Sequence, residues 1–162
     1  MKLGQKHIAT EQLAFEDIVR DFAGKKEWVR TVLSRVARVA PLEKQAKILD
    51  VGAASGCVVA ACNQLGYHCE GVEPWDDARE NARRLGEYLD VPIRIDVGSA
   101  ENLPYDDESF DLVIASFVLE HVLDVDKALS EINRVLKKGG AFWFSSVSSL
   151  CPVQPEIRGF PL

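Results

Sequence analysis

The chain has 162 residues, of which 47% are hydrophobic and 27% charged, and its formal net charge is −6. This length suits one globular domain with a substantial core, and the acidic balance disfavours nonspecific nucleic-acid binding. No apolar run reaches the ~20 residues that a membrane-spanning helix needs, and the N-terminus lacks the apolar core of a signal peptide. We therefore expect a cytoplasmic protein with no membrane partner.

The first 45 residues are predicted to form a helical cover. Apolar side chains at helical spacing predict an amphipathic helix over residues 11–22, which Gly24 should break. A second helix should follow and end before Pro41, because the residue before a proline disfavours helical backbone. Its basic residues between positions 25 and 38 fit the solvated face of a helix.

Residues 47–56 have the pattern of a ligand-binding strand and loop. A largely apolar run over residues 48–51 stops at Gly52, and a helix-like segment begins at Cys57. This pattern predicts a buried parallel strand, a tight loop and a helix. Gly52 and Gly56 would permit a sharp turn and a close ligand, and the N–H groups that open the helix would face that ligand.

Strands and helices alternate along the rest of the chain. The prediction is an α/β fold with a Rossmann-like, doubly wound, mostly parallel sheet of five strands and helices on both faces. Residues 46–147 would be the core and residues 148–162 an irregular, proline-rich tail of the same single domain. Ligands should bind at the carboxyl ends of the strands. The four later strands are predicted over residues 67–73, 92–97, 110–115 and 141–146.

Two later helices have predicted boundaries. Asp76 or Asp77 should cap the helix after the second strand, and Asp124 or Asp126 should begin the last one. The last helix should end at the basic and glycine-rich residues 137–140. Its inward apolar side chains would be Ala128, Leu129, Ile132, Val135 and Leu136.

The glycine spacing separates two classes of ligand. A dinucleotide fold uses G-x-G-x-x-G, whereas this loop reads Gly52-Ala-Ala-Ser-Gly56 and continues with Cys57. The fit to a pyrophosphate is therefore poor, and an NAD(P)-dependent oxidoreductase becomes the less favoured alternative. The four cysteines lack C-x-x-C spacing, so we expect reduced thiols and no metal.

Six segments together resemble the class I S-adenosylmethionine-dependent methyltransferases, closest to the ubiquinone and menaquinone methyltransferase branch. Each segment alone is a weak signal, but the six occur in the family's order and spacing and are distributed over residues 48–146. They are Ile48-Leu-Asp-Val-Gly-Ala-Ala-Ser-Gly56, Gly71-Val-Glu-Pro74, Gly98-Ser-Ala-Glu-Asn-Leu-Pro-Tyr105, Ser109-Phe-Asp-Leu-Val-Ile-Ala-Ser116, Val118-Leu-Glu-His-Val122 and Arg134-Val-Leu-Lys-Lys-Gly-Gly140.

The resemblance implies that the cofactor is S-adenosylmethionine, with S-adenosylhomocysteine as the product. Glu73 would accept hydrogen bonds from both ribose hydroxyls, although a strand-end acid can also hold the start of the next helix. Ser99 stands where the family often has an aspartate, so this neutral acceptor should bind the adenine amino group more weakly. The other implied cofactor contacts are Asp50, Gly52, Ala53, Ala54, Gly56 and Ser116 near the methionine part and Pro74, Trp75 and Ala100 near the adenine. Trp75 would supply a stacking face or only cover the start of its helix.

On the acceptor side the resemblance implicates Glu120 and His121. His121 could orient or deprotonate an acceptor, although a lone histidine is often structural. Transfer by in-line displacement needs mainly alignment and exclusion of water. A small-molecule acceptor is favoured over nucleic acid, because no Asn/Asp-Pro-Pro-aromatic sequence follows the fourth strand.

The family sheet normally has seven strands, and this sequence has no candidate for the final hairpin. We therefore expect a truncated form whose fifth strand is an exposed edge, which could support a homo-oligomer. The remaining alternative is an S-adenosylmethionine-binding module without catalysis in this truncated form.

Overall fold

The computed structural model describes residues 15–146, which form a five-stranded parallel sheet in the order β3-β2-β1-β4-β5. The strands are β1 Lys47–Val51, β2 His68–Val72, β3 Ile95–Asp96, β4 Phe110–Ser116 and β5 Leu136–Ser145. The helices are α1 Phe15–Val36, α2 Cys57–Gln64, α3 Asp76–Leu89 and α4 Val125–Val135. None of these helices has the length and apolarity that a membrane span requires.

Helices cover both faces of the sheet. Alternate residues of β1 point to opposite faces, so Ile48 joins the core under α1, α2 and α3, whereas Leu49 joins the core under α4. Both side chains are fully buried, as expected for the central strand of a doubly covered parallel sheet. The predicted α/β doubly wound fold is confirmed.

The N-terminal cover differs from the prediction of two helices. A single helix, α1, runs through Gly24, and an added Cβ at that glycine would meet no atom within 4 Å. Glycine costs only about 1 kcal/mol in a helix interior, and α1 buries apolar residues on both sides of this position, including Phe22 and Val29. Their burial outweighs the local preference to break the helix.

The starts of α3 and α4 were predicted with unequal success. Asp124 is the N-cap of α4, and its carboxylate accepts a hydrogen bond from the Lys127 backbone N–H at 3.0 Å. The prediction for α3 is wrong, because Trp75 occupies the N-cap and Asp76 and Asp77 lie in the first turn. Both acids still complement the positive end of the helix dipole there.

The α4–β5 junction also differs from the prediction. α4 ends at Val135, and Leu136 already belongs to β5. Leu136 pairs with Phe110 and Ala141 with Leu112, so residues 137–140 bulge opposite the single residue Asp111. Leu129, predicted to face inward, is 39% exposed.

The third strand comprises only Ile95–Asp96, and β5 forms an edge of the described sheet. Cys57, Cys62 and Cys69 are buried free thiols. Cys151, the predicted tail over residues 148–162 and the first part of the predicted cover, residues 1–14, lie outside the described residues. The proposed division of the domain stays a prediction.

Candidate functional site

A cavity of about 840 Å³ lies at the carboxyl ends of the strands. Its walls come from the segments that follow four different strands, and they place many of the predicted site residues together. These segments contribute Gly52 and Ala54 after β1, residues 72–75 at the end of β2, residues 98–102 after β3, and residues 117–118 and 121–123 after β4. We call Gly52, Ala54 and residues 72–75 the β1–β2 wall, and residues 117–124 the β4–α4 segment.

The loop after β1 is fixed by the backbone of β2. The N–H groups of Gly52 and Ala53 both donate to the Val72 carbonyl, at 2.9 and 3.1 Å. Gly52 has φ +71°, and an added Cβ would lie 2.6 Å from Cγ2 of Val118. Its missing side chain therefore allows the sharp turn and lets the β4–α4 segment contact the loop.

Glu73 is the most constrained acid of the cavity wall. Its side chain is 5% exposed, and its two oxygens accept from the backbone N–H groups of Ala54 at 2.9 Å and Trp75 at 3.2 Å. Each carboxylate oxygen can accept a further hydrogen bond. The bond to Trp75 also holds the start of α3, so this geometry supports both the ligand-binding and the structural interpretation.

Asp50 lies beneath this wall rather than on it. Its side chain is 3% exposed. Burial raises its pKa to about 7, against an opposing attraction from Lys25, and the negative charge of Glu73 raises it further. A cation placed beside this carboxyl would favour its charged form.

The residues predicted to contact adenine come from the β1–β2 wall and from the turn after β3. Pro74, Trp75, Ser99 and Ala100 all line the cavity, and Trp75 is 48% exposed. Ser99 begins a tight turn, in which its carbonyl accepts from the Asn102 N–H at 3.0 Å. These four side chains are therefore available to one ligand.

Four other predicted residues are not brought to the cavity wall. Ala53 is buried against Gly71, and an added Cβ on Gly56 would collide with Ile93 and Ala82, so both small residues serve helix and strand packing. Ser116 exchanges a hydrogen bond with the Ser145 hydroxyl at 2.9 Å. Glu120 is exposed outside the cavity lining. Their roles in cofactor binding or catalysis stay predictions.

The β4–α4 segment forms a largely apolar wall. His121 is exposed and lines the cavity together with Phe117, Val118, Val122 and Leu123. Sequence reasoning singled out His121 and missed the four apolar neighbours. The four-residue spacing of Val118 and Val122 could have indicated that both face the same side. The φ of +58° at Phe117 could not be predicted, because nothing in a phenylalanine indicates left-handed backbone.

A second cavity, of about 560 Å³, lies at the opposite end of the sheet. Lys44, Asp111, Lys137 and Lys138 line it, and none of the predicted site residues does. Lys137 is held by Asp111 at 2.8 Å and is thus already neutralised. Since ligands of open α/β sheets bind at the carboxyl ends of the strands, we assign the functional site to the first cavity.

Comparison with known proteins identifies the family of the chain. A family model described as "Methyltransferase domain" matches residues 49–144, well over half of the chain. The methyltransferase YcgJ of Bacillus subtilis is 31% identical over 79% of this chain and 50% of its own length. The crystal structure of YcgJ superposes with a TM-score of 0.65, at 30% identity over 72% of this chain and 50% of that chain.

The demethylmenaquinone methyltransferase of Thermobifida fusca is 35% identical over 68% of this chain and 47% of its own length. The chain thus spans about half the length of the curated relatives it matches. The family match and these relatives indicate the same family. The chain belongs to the methyltransferase domain family, among the class I S-adenosylmethionine-dependent methyltransferases.

Proposed function

We propose that this chain binds S-adenosylmethionine in the carboxyl-end cavity and transfers its methyl group to a small-molecule acceptor. The observation that carries the proposal is Glu73, a buried carboxylate on the wall of a largely apolar cavity. Two backbone donors orient it, and its oxygens keep the capacity to accept from a pair of adjacent hydroxyls.

The residues around Glu73 fit the remaining parts of this cofactor. Asp50 would favour an ammonium group near the glycine loop, since a cation there relieves the unfavourable burial of its charged form. Trp75 offers an exposed aromatic face and Ser99 a neutral acceptor on the adenine side. Ala54 places a methyl group on the wall where a dinucleotide fold uses glycine, which favours this cofactor over NAD(P).

In the proposed methyl transfer, these residues mainly align the reactants and exclude water. The bound cofactor supplies a methyl group on a sulfonium, which is already activated for displacement. Val118, Val122 and Phe117 present apolar surface that removes water from the acceptor side. His121, the titratable side chain on this segment that lines the cavity, would hold or accept a proton from an acceptor hydroxyl or amine.

A small apolar acceptor suits the same wall. The relatives include proteins named demethylmenaquinone methyltransferase and ubiquinone biosynthesis O-methyltransferase. Their names support a small-molecule acceptor for this chain, and the apolar β4–α4 segment is consistent with one.

Isothermal titration of S-adenosylmethionine against the wild type and Glu73→Ala tests the proposal. Glu80→Ala is the matched control, because Glu80 is a solvent-exposed acid on α3 that pairs with Arg83 outside the cavity. We expect Glu73→Ala to weaken the Kd about 5- to 150-fold, as for the loss of ~1–3 kcal/mol of hydrogen bonding to a charged group. Glu80→Ala should bind like the wild type.

Binding of NADH in place of S-adenosylmethionine would overturn the proposal. An equal effect of Glu73→Ala and Glu80→Ala would show that the cofactor does not use this wall. Turnover with a panel of small acceptors then separates a methyltransferase from a cofactor-binding module.

A further inference from the structure

Glu101 joins two walls of the cavity that are far apart in sequence. It belongs to the turn of residues 99–102 after β3, where it is half-buried and lines the cavity. Its Oε1 accepts a hydrogen bond from the backbone N–H of Leu123 at 2.9 Å. The carboxylate thus connects the turn that contains Ser99 and Ala100 to the end of the β4–α4 segment.

The surroundings of this carboxylate lower its pKa. Partial burial by itself would raise the pKa of Glu101, but hydrogen bonds from the N–H groups of Leu123, Glu101 itself and Asp124, and from the Ser99 hydroxyl, hold it below its usual value. Glu101 is therefore charged at neutral pH, and charge-assisted hydrogen bonds are the stronger kind.

The bond to Glu101 ties the end of the β4–α4 segment to the opposite wall of the cavity, whereas the N-cap bond from Lys127 to Asp124 ties it only to its own helix. The Leu123 side chain is 85% exposed, so packing does not hold this position. At the other end of the segment, the Phe117 N–H donates to the Ser145 carbonyl at 2.8 Å and Val118 contacts Gly52. The segment is thus fixed to the sheet and glycine loop at one end and to Glu101 at the other.

Ser99 gives Glu101 a connection to the predicted cofactor position. A serine hydroxyl has one hydrogen to donate and two lone pairs. A Ser99 hydroxyl that donated to Glu101 would keep its lone pairs to accept a hydrogen bond from a ligand amino group in the cavity. A ligand that fixes Ser99 in this orientation also strengthens the network that ends at the Leu123 N–H.

We propose that Glu101 is a positioning residue that couples the cofactor-side turn to the acceptor-side β4–α4 segment, so that cofactor binding orders the segment that faces the acceptor. This inference rests on the proposed function, because it assumes that the cofactor contacts the turn of residues 99–102. It goes further by assigning the coupling between the turn of residues 99–102 and the β4–α4 segment to one carboxylate.

Solvent-exchange NMR of the backbone amides tests the coupling with S-adenosylhomocysteine as the probe. The readout is the exchange rate of the Leu123 and Asp124 amides with and without saturating probe, in the wild type, Glu101→Ala, Glu101→Gln and the control Asp126→Ala. Asp126 is an exposed acid in the first turn of α4 that does not line the cavity. Saturation removes any difference in affinity between the variants.

In the wild type and in Asp126→Ala, the probe should slow exchange of the Leu123 amide at least about fivefold, the lower end of typical coupling between sites. In Glu101→Ala the change should fall below about twofold, while amides of the glycine loop remain protected by the probe. Glu101→Gln keeps an oxygen for Leu123 and should restore part of the effect, which a merely structural role does not predict.

Two results would overturn the inference while leaving the proposed function intact. One is a probe that binds the wild type and protects the glycine loop but leaves the Leu123 amide unchanged. The other is full probe-induced protection of Leu123 in Glu101→Ala. Failure of the probe to bind the wild type would instead overturn the proposed function, and this inference with it.

Discussion

The β1–β2 wall and the β4–α4 segment border the same cavity but are held in different ways. The first is tied by paired backbone hydrogen bonds to Val72 and by the buried carboxylate of Glu73. The second is mostly exposed and is anchored near its two ends, at Phe117 and at Leu123. We therefore expect the β4–α4 segment to adjust more readily than the β1–β2 wall.

This difference matches what the two walls are proposed to bind. A rigid wall suits a cofactor of constant shape, because no ordering cost is added to binding. An adjustable segment suits acceptors that differ between relatives, and segments that move are drawn from regions with few buried contacts. Substitutions made in each wall separately test this difference.

The largest expected effect is a pH dependence of the free energy of unfolding that arises from Asp50, beneath the β1–β2 wall. Its pKa is about 7 in the folded protein and 3.8 ordinarily. Between these pH values the folded state holds a proton that the unfolded state has lost. The contribution of the protonated Asp50 carboxyl to the free energy of unfolding is therefore fully present below pH 3.8 and is lost as pH rises to about 7.

Denaturant unfolding of the wild type and Asp50→Asn between pH 4 and 8 measures this effect, since asparagine does not titrate. The stability of the wild type relative to the variant should fall with rising pH, by at most about 1.4 kcal/mol per pH unit, and level off above pH 7. A difference that is independent of pH would contradict the assignment of a neutral carboxyl at this position.

A steric change behind the β1–β2 wall should have the next largest effect. An added Cβ on Gly71 would lie 2.6 Å from the Cβ of Ala53, which has no rotamer to move away. We expect Gly71→Ala to lower the free energy of unfolding by ~1–3 kcal/mol, as overpacking does.

Gly24→Ala is the matched control for this substitution. No atom lies within 4 Å of the added Cβ, and the helix interior favours alanine, so unfolding should become harder by about 1 kcal/mol. Equal effects of the two substitutions, measured by denaturant unfolding, would show that the β1–β2 wall is not tightly packed.

The smallest expected effect is on the β4–α4 segment. Leu123→Ser removes a side chain that is 85% exposed and leaves its backbone N–H free to donate to Glu101. The free energy of unfolding should change by less than about 0.5 kcal/mol, as for other surface substitutions. A loss above 1 kcal/mol by thermal and denaturant unfolding would show that this segment is as rigid as the opposite wall.

The sheet and the location of the cavity were predictable because they depend on long, consistent apolar patterns. Strand β1 and the turn after it were predicted correctly, since burial from both faces leaves a largely apolar run, whereas Gly56 serves packing and does not line the cavity. The break at Gly24 was wrong because a local preference of about 1 kcal/mol competes with the packing of a whole helix face. The inward prediction for Leu129 failed because Ala128, Ile132 and Val135 form the buried stripe of α4 and Leu129 lies beside that stripe.

Contacts between distant segments were the part that sequence could not supply. Glu101 belongs to one of the segments on which the family resemblance rests. Its position in the sequence nevertheless does not indicate a hydrogen bond to Leu123. Gly52 was interpreted as room for a ligand, whereas the structure also uses that room for Val118. Such contacts depend on how loops meet above the sheet, and loop geometry has no periodic signature.

The most direct test of the account is a titration of the ¹⁵N-labelled chain with S-adenosylmethionine, followed through the backbone amide signals. The amides of Ala54 and Trp75 report on Glu73 because both donate to its carboxylate. We expect their signals and that of Ser99 to shift most, while those of Lys44 and Lys138 at the opposite cavity stay constant. Shifts confined to Lys44 and Lys138, or a response to NADH alone, would contradict it.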